Sequence, residues 1–194
     1  MKKLNFIIKC GLALLLLSFY SCESWLNVTP SDRLSEEMLF NDREGFVKAL
    51  NGGYIELNTN ELYGRNLTAG ALDVMGQYYS VASSSHAFYN YGGLVYTGND
   101  EKALFDNMWQ KCYAVIACCN TIIEKCDENK AGLSPVWRGS IKGEALALRA
   151  MLHFDMLRLF GPLTSELDKE SIPYQTNSDQ TVTPLLSGSE VVGL

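Results

Sequence analysis

The second half of the chain carries the clearest pattern of apolar and polar positions. From 100 to 127 apolar side chains recur every three or four residues with polar ones between them, which indicates an amphipathic helix. A second helix is predicted from Ser134, a suitable N-cap that precedes Pro135, to Phe160, because Gly161-Pro162 follows. The link between them is short, so we predict an antiparallel helical hairpin. The apolar positions are Phe105, Met108, Trp109, Cys112, Ile116, Cys119, Ile123 and Cys126 in the first helix, and Leu148, Leu152, Met156 and Leu159 in the second.

The second helix of this hairpin is apolar on several sides. Ala145, Met151 and Phe154 widen its main stripe, so we expect burial over much of its circumference. Gly139 and Gly143 would allow a neighbouring helix to approach closely. If a further region of the protein normally covers this helix, an exposed apolar face is expected instead.

An earlier helix is predicted over residues 41–57. Asn41 suits the N-cap, and Glu44 follows three residues later as in a capping box. The run Asn51-Gly52-Gly53 weakens the pattern, so the helix could break there. Its apolar stripe comprises Phe46, Val47, Leu50, Tyr54 and Leu57.

The stretch from 78 to 98 reads as a long loop with many aromatic residues. Six aromatic side chains fall within 19 residues, where the chain average of 11% predicts about two. Loops of this length without regular structure are usually functional or mobile. Aromatic rings bury the C–H faces of sugars, and a loop on a helical scaffold suits such binding. The candidate ligand-binding residues are Tyr78, Tyr79, Tyr89 and Tyr91; the alternative is that these rings pack the loop onto the helices.

After residue 164 the pattern weakens. Ile172-Pro173-Tyr174 is expected to form a short extended segment. Residues 181–194 are polar and contain glycine, and we expect them to end without a closing element.

The first residues have the features of a secretory signal peptide. Lys2 and Lys3 precede a ten-residue apolar run at 11–20, and Ser21-Cys22 follows. The run is too short to span a bilayer, which needs about 20 apolar residues. A small residue directly before cysteine resembles a lipobox, so we expect residues 1–21 to be removed and Cys22 to be acylated, with palmitate among the chains. The alternatives are an ordinary cleaved signal or an uncleaved anchor, with Cys22 incidental.

Charge and chemistry exclude several functions. The net charge is −6, and loss of three leader lysines gives −9 for residues 22–194, which disfavours nucleic-acid binding. The only histidines, His86 and His153, have no triad-like spacing, so no enzyme activity is expected, and His153 is interpreted as a core residue. No C-x-x-C occurs, so Cys112, Cys119 and Cys126 are interpreted as small buried apolar residues rather than metal or redox groups.

Several segments in order resemble the SusD/RagB family. The resemblance begins at the run from Cys22 to Pro30 and continues through Ala49–Tyr54 and through Trp109–Tyr113 with Cys119–Ile123. Its most specific part lies between Lys142 and Pro162, with Glu144, Leu148-Arg149-Ala150, His153-Phe154 and Leu157–Pro162, and Ile172-Pro173-Tyr174 follows. The match runs to about Thr183.

The resemblance implies an all-α fold of tetratricopeptide-like helical hairpins with a long aromatic-rich loop. It implies an outer-membrane, cell-surface lipoprotein that binds glycans or other nutrients and delivers them to a TonB-dependent, SusC-like transporter, without cofactor or catalysis. Ligand-contacting residues vary among members, so none is transferred.

Members of this family are longer, and residues 22–194 are therefore interpreted as an N-terminal helical domain whose C-terminal region is absent. The alternative functions are a helical protein-interaction module or a truncated fragment without a ligand site of its own.

Overall fold

The fold is mainly helical, as expected. The computed structural model describes residues 36–179 and 182–194, so the predicted leader, Cys22 and the tether after it lie outside the described residues. From Glu37 onward the described chain forms one unit. In chain order its elements are α1 Glu36–Leu39, α2 Arg43–Leu57, α3 Ala71–Met75, α4 Tyr89–Gly92, α5 Asn99–Glu128, α6 Pro135–Phe160, a 3-10 turn Thr164–Glu166, β1 Glu170–Pro173, β2 Leu185–Ser187 and α7 Gly188–Val192.

The predicted hairpin of α5 and α6 is confirmed. The helix α5 ends at Asn129, whose left-handed φ of 47° closes the turn while its side-chain oxygen accepts from the Leu133 N–H at 2.8 Å. Ser134 caps α6 by accepting from the Trp137 N–H, and Pro135 is the first helical residue. Cross-helix partners run in opposite directions along the two helices, as an antiparallel arrangement requires: Asp127–Lys142, Asn120–Arg149 and Phe105–Phe160.

The interface between α5 and α6 forms the centre of the hydrophobic core. Cys112, Cys119 and Cys126 are buried and carry free thiols, which confirms their interpretation as small apolar residues. Burial raises the pKa of the Cys112 and Cys119 thiols to about 12, so neither is a nucleophile at neutral pH. Other fully buried side chains of these two helices are Met108, Ile116, Ile122, Leu152 and Met156.

The start of α2 differs from the prediction by one residue. The N-cap is Asp42, not Asn41, and its carboxylate accepts from the Gly45 N–H at 2.9 Å. Leu39 lies so close to Gly45 that a Cβ on residue 45 would collide with the Leu39 carbonyl oxygen. The capping box with Glu44 therefore does not form.

The expected weak point in α2 is also absent. The helix is continuous through Gly52-Gly53 to Leu57, and Gly53 is buried beside Val115 of α5. Tyr54 is 43% exposed rather than part of the buried stripe, and its hydroxyl donates to Glu144 on α6 at 2.7 Å.

The expectation that α6 is buried on much of its circumference is wrong for the described part of the chain. Leu148 and Leu152 are buried against α5, but Met151 is 42% and Phe154 is 56% exposed. A Cβ at Gly143 would meet no atom within 4 Å. The described elements cover only one face of α6, which leaves its other face apolar and open to solvent.

The prediction that the chain ends without a closing element is wrong. Ile172 is buried in β1, as the expected extended segment, and β1 pairs antiparallel with β2. A capping box then starts α7, because Ser187 and Glu190 each bind the other's backbone N–H. The strand β2 has three residues, too few for an alternating pattern to be recognised.

A buried polar cluster fastens the segment after β1 to the hairpin. The Asn120 amide donates to the carbonyl oxygens of Gln175 at 3.1 Å and Asn177 at 3.3 Å, and it accepts from Arg149 at 2.9 Å. His153 accepts the Gln175 N–H at Nε2, so its proton is on Nδ1 and is donated to the Arg149 carbonyl. Burial lowers the pKa of His153 to about 4. Its interpretation as a core histidine is confirmed.

Candidate ligand-binding cleft

The aromatic-rich segment is folded back on itself by two left-handed residues. Gln77 has φ 63° and follows Gly76, the C-cap of α3, and Leu94 has φ 54° and follows Gly93, the C-cap of α4. The Gln77 side-chain amide donates to the Gly92 carbonyl at 2.9 Å and so joins the two ends of the segment. The predicted loop is confirmed apart from the single turn α4.

Tyr91 anchors this segment to the helices. Its ring is only 2% exposed and lies 5.8 Å from Phe88 and 6.1 Å from Phe105, measured between ring centroids. Phe105 in turn contacts Phe160, so the segment is tied to both helices of the hairpin. Burial and the nearby Glu101 carboxylate raise the pKa of Tyr91, which stays a neutral phenol.

The other three predicted tyrosines are exposed. Tyr79, 55% exposed, and Tyr89, 42% exposed, both line a cleft of about 380 Å³. Tyr78 is 79% exposed and lies over Gly76, beside the cleft rather than in its wall. The structure thus brings together two of the four candidates, leaves Tyr78 near them and buries Tyr91 out of reach of a ligand.

Polar residues that the sequence analysis did not single out complete the cleft. Gln77 and Asn90 contribute amides and Ser80 a hydroxyl, with Val81, Gly92, Gly93 and Val95 forming the remaining wall. The sequence held one indication that Asn90 belongs to this site: it lies between Tyr89 and Tyr91 and so is part of the same turn. No pattern in the sequence predicts the left-handed backbone of Gln77, which directs its side-chain amide to the Gly92 carbonyl.

A carboxylate lies behind the wall of this cleft. Glu101, 6% exposed, accepts from the Asn90 amide at 2.8 Å. It occupies the third position of α5, where the helix dipole favours an acid. The hydrogen bonds from Asn90 and from the Glu101 backbone lower the pKa of this carboxyl, so it is ionised at neutral pH.

A second, larger cavity of about 450 Å³ lies between α2 and α6. Leu57, Leu148 and Met151 form much of its apolar wall, with the rings of Tyr54 and Tyr63 beside them. The Tyr63 hydroxyl donates to Asp155, which together with burial raises the pKa of this tyrosine. The sequence analysis placed Tyr54, Leu57, Leu148 and Met151 on apolar helix stripes and assigned none of them to a ligand site.

Within 36–179 and 182–194, no three side chains among His, Cys, Asp and Glu are grouped to hold a metal ion. The helices of these same residues include none with the length and apolar character needed to cross a membrane.

The described part of the chain is thus a helical scaffold with a tyrosine-lined surface cleft. The chain belongs to the SusD-like family described as "Starch-binding associating with outer membrane", whose family model matches residues 24–188. The members of this family are binding proteins rather than enzymes, and the family is associated with the outer membrane.

A curated relative supports this membership. The chain is 25% identical over 166 residues to "SusD-like protein P2" of Formosa agariphila. The match covers 83% of this chain and 30% of that relative, so the chain spans about a third of the relative's length. No solved structure matches the chain significantly.

Proposed function

We propose that this protein is a lipid-anchored, cell-surface protein that binds glycans or other nutrients and delivers them to a TonB-dependent, SusC-like outer-membrane transporter. Family membership supports starch or glycan binding at the outer membrane. The single observation that carries the proposal is the pair of exposed rings of Tyr79 and Tyr89 around one cleft.

The cleft has the physical properties that sugar binding needs. Its volume of about 380 Å³ lies within the range of about 300–1,000 Å³ typical of ligand sites. Tyrosine rings bury the apolar faces of a sugar, and nearby amides and hydroxyls bind its OH groups. The anchor at Tyr91 keeps the rings of this segment in place before a ligand arrives, which lowers the entropy lost on binding.

Binding is tested by isothermal titration of starch-derived oligosaccharides with the full chain in detergent. Combined replacement of Tyr78, Tyr79 and Tyr89 by alanine is expected to weaken binding at least about tenfold. Tyr54→Ala is the matched control, because Tyr54 is 43% exposed and lies outside the cleft. Unchanged binding in the triple variant would remove the cleft from the proposal.

The lipid anchor at Cys22 is a separate step of the proposal, supported by the apolar run and Ser21-Cys22. Cells fed labelled palmitate are expected to label the wild-type chain but not Cys22→Ala. Cys118→Ala is the control, since this cysteine is half-buried within α5. Equal labelling of the Cys22 variant would refute acylation at this residue.

The exposed face of α6 favours a second candidate function, a helical interaction module. Val136 is 77%, Leu146 is 37% and Phe154 is 56% exposed, and apolar faces of this kind mark protein contacts. Crosslinking in outer membranes, read by mass spectrometry for transporter peptides, separates the candidates. If the protein is an interaction module, Phe154→Ser should lose these crosslinks, and neither the wild type nor any variant should bind sugar.

A further inference from the structure

Resting on the proposed function, we infer that the cleft around Tyr79 and Tyr89 selects uncharged oligosaccharides and rejects sulfated or uronate-bearing ones, with Glu101 as the residue that strengthens the rejection. Three observations carry this inference: the absence of charge in the cleft wall, the orientation of its two amides, and the buried carboxylate behind Asn90.

The wall of the cleft offers nothing that neutralises an anion. None of its nine lining residues is Lys, Arg or His. Sites for sulfate or carboxylate groups usually contain an arginine or lysine, because charge-assisted hydrogen bonds are about twice as strong as neutral ones. Arg65, the arginine that contacts the aromatic cluster, lies over the Phe88 ring and donates to Asn66, and it does not line the cleft.

Both amides in the wall donate one N–H to an acceptor of the protein. The partner of Gln77 is the Gly92 carbonyl, and the partner of Asn90 is the Glu101 carboxylate. These partners accept hydrogen bonds and cannot donate, so they determine which end of each amide faces them. The acceptor oxygen and the second N–H of each amide remain for a ligand. Sugar hydroxyls can pair with both, because they donate and accept. Sulfate and carboxylate oxygens only accept, so they leave the amide oxygens without a donor.

Glu101 adds a negative charge directly behind this wall. Glu101 is buried, with 6% of the residue exposed, so solvent screens its charge less than a surface charge. Gly98 lies against the carboxylate and leaves no room for a side chain there, which holds the acid beside Asn90. Asp100 on the same turn and the net charge of −6 act in the same direction. These acids therefore repel an anionic sugar, and no cation in the cleft wall offsets the repulsion.

The test compares matched ligands with the full chain in detergent. Short α-glucan, β-glucan and xylan oligosaccharides are each titrated in neutral form and with sulfate esters. The neutral form that binds is expected to bind at least about tenfold more tightly than its sulfated counterpart at low salt. The difference should shrink at about 1 M salt, where the screening length falls to about 3 Å.

Two variants and a control assign the selectivity to this cleft. Ser80→Lys places a cation in the wall and is expected to raise affinity for the sulfated form, while Ser140→Lys, on the exposed face of α6, leaves it unchanged. Glu101→Gln keeps an acceptor for Asn90 and removes the charge. In this variant the ratio of the affinity for the neutral sugar to that for the sulfated sugar is expected to fall about threefold. The affinity for the neutral sugar itself should change little.

The outcomes separate the inference from the proposed function. Sulfated sugar that binds the wild type as tightly as the neutral form refutes the inference and leaves glycan binding intact. If Glu101→Gln lowers the affinity for the neutral and the sulfated sugar equally, the selectivity is unchanged. Glu101 is then only structural, and its assigned role is refuted. If no sugar binds in either form, the proposed function fails and the inference fails with it.

Discussion

The hairpin of α5 and α6 and the aromatic segment 78–98 are stabilised in different ways. In the hairpin, apolar side chains at helical spacing meet along two long helices, and the core is distributed over many buried positions. In the aromatic segment, regular structure is limited to α4, and Tyr91 is its buried tyrosine. Tyr89 and Tyr91 are two residues apart, yet one is exposed and the other is in the core. In the hairpin, the type and spacing of a residue therefore indicate whether it is buried. In the aromatic segment they do not, because two neighbouring tyrosines have different surroundings.

The largest expected effect is in the core of the hairpin. Leu152→Ala should lower the free energy of unfolding by roughly 3–4 kcal/mol, because Leu152 is fully buried and its removal leaves a cavity. Leu146→Ala on the same helix should lower it by less than about 1 kcal/mol, since Leu146 is 37% exposed. Urea unfolding followed by circular dichroism measures both. Equal effects would mean that the exposed face of α6 is covered in solution.

A similar pair tests the aromatic segment. Tyr91→Ala should lower the free energy of unfolding by about 3 kcal/mol, because its ring fills the space between Phe88 and Phe105. Tyr89→Ala should change it by no more than about 0.5 kcal/mol. The same urea titration reads both variants. A strongly destabilising Tyr89→Ala would show that its ring supports the fold and would weaken its assignment to a ligand site.

The polar cluster at His153, which fastens the segment after β1 to the hairpin, predicts a pH dependence of stability. The pKa of His153 is about 4 in the folded chain and near 6.5 when unfolded, so the folded state binds fewer protons. Its contribution is intact above pH 6.5 and is lost as the pH falls toward 4. Between about pH 7.5 and about pH 4.5 the loss should reach about 2 kcal/mol.

The control for this titration is His153→Gln, measured by urea unfolding at the same two pH values. The variant removes the ring that accepts from Gln175 and packs beside Tyr113 and Tyr174. Carboxylates elsewhere also titrate in this range, so the quantity of interest is the difference between wild type and variant. Parallel pH profiles would contradict the assigned role.

The smallest expected effects come from two glycines. Gly143→Ala on α6 should raise the free energy of unfolding by about 0.5–1 kcal/mol, because its added Cβ meets nothing within 4 Å and alanine favours the helix. Gly98→Ala, where the aromatic segment meets α5, should lower it by about 1 kcal/mol, since the methyl group displaces the Glu101 carboxylate. Thermal unfolding compares the two. Destabilisation by Gly143→Ala would indicate that another surface packs on α6.

The predictable parts of this fold are those whose signals are local. The bounds of α6 were predicted because Ser134-Pro135 and Gly161-Pro162 begin and end a helix by their own backbone preferences. The N-cap of α2 was misplaced because Asn41 and Asp42 are both good caps, and the choice depends on the close approach of Leu39 to Gly45. The exposed face of α6 was misjudged because apolar spacing does not say whether a neighbour is present.

By itself, the amino-acid sequence determined the helical hairpin, the caps of α6 and the buried cysteines, because each depends on residues close together in the chain. It also determined the family, through several segments that match in order along the chain. Tertiary structure alone decided that Tyr91 is buried while Tyr79 and Tyr89 share a cleft, and that Glu101 lies behind Asn90. It also decided the pairing of β1 with β2. The physical reason is that these features arise from contacts between distant segments, which no local periodicity encodes.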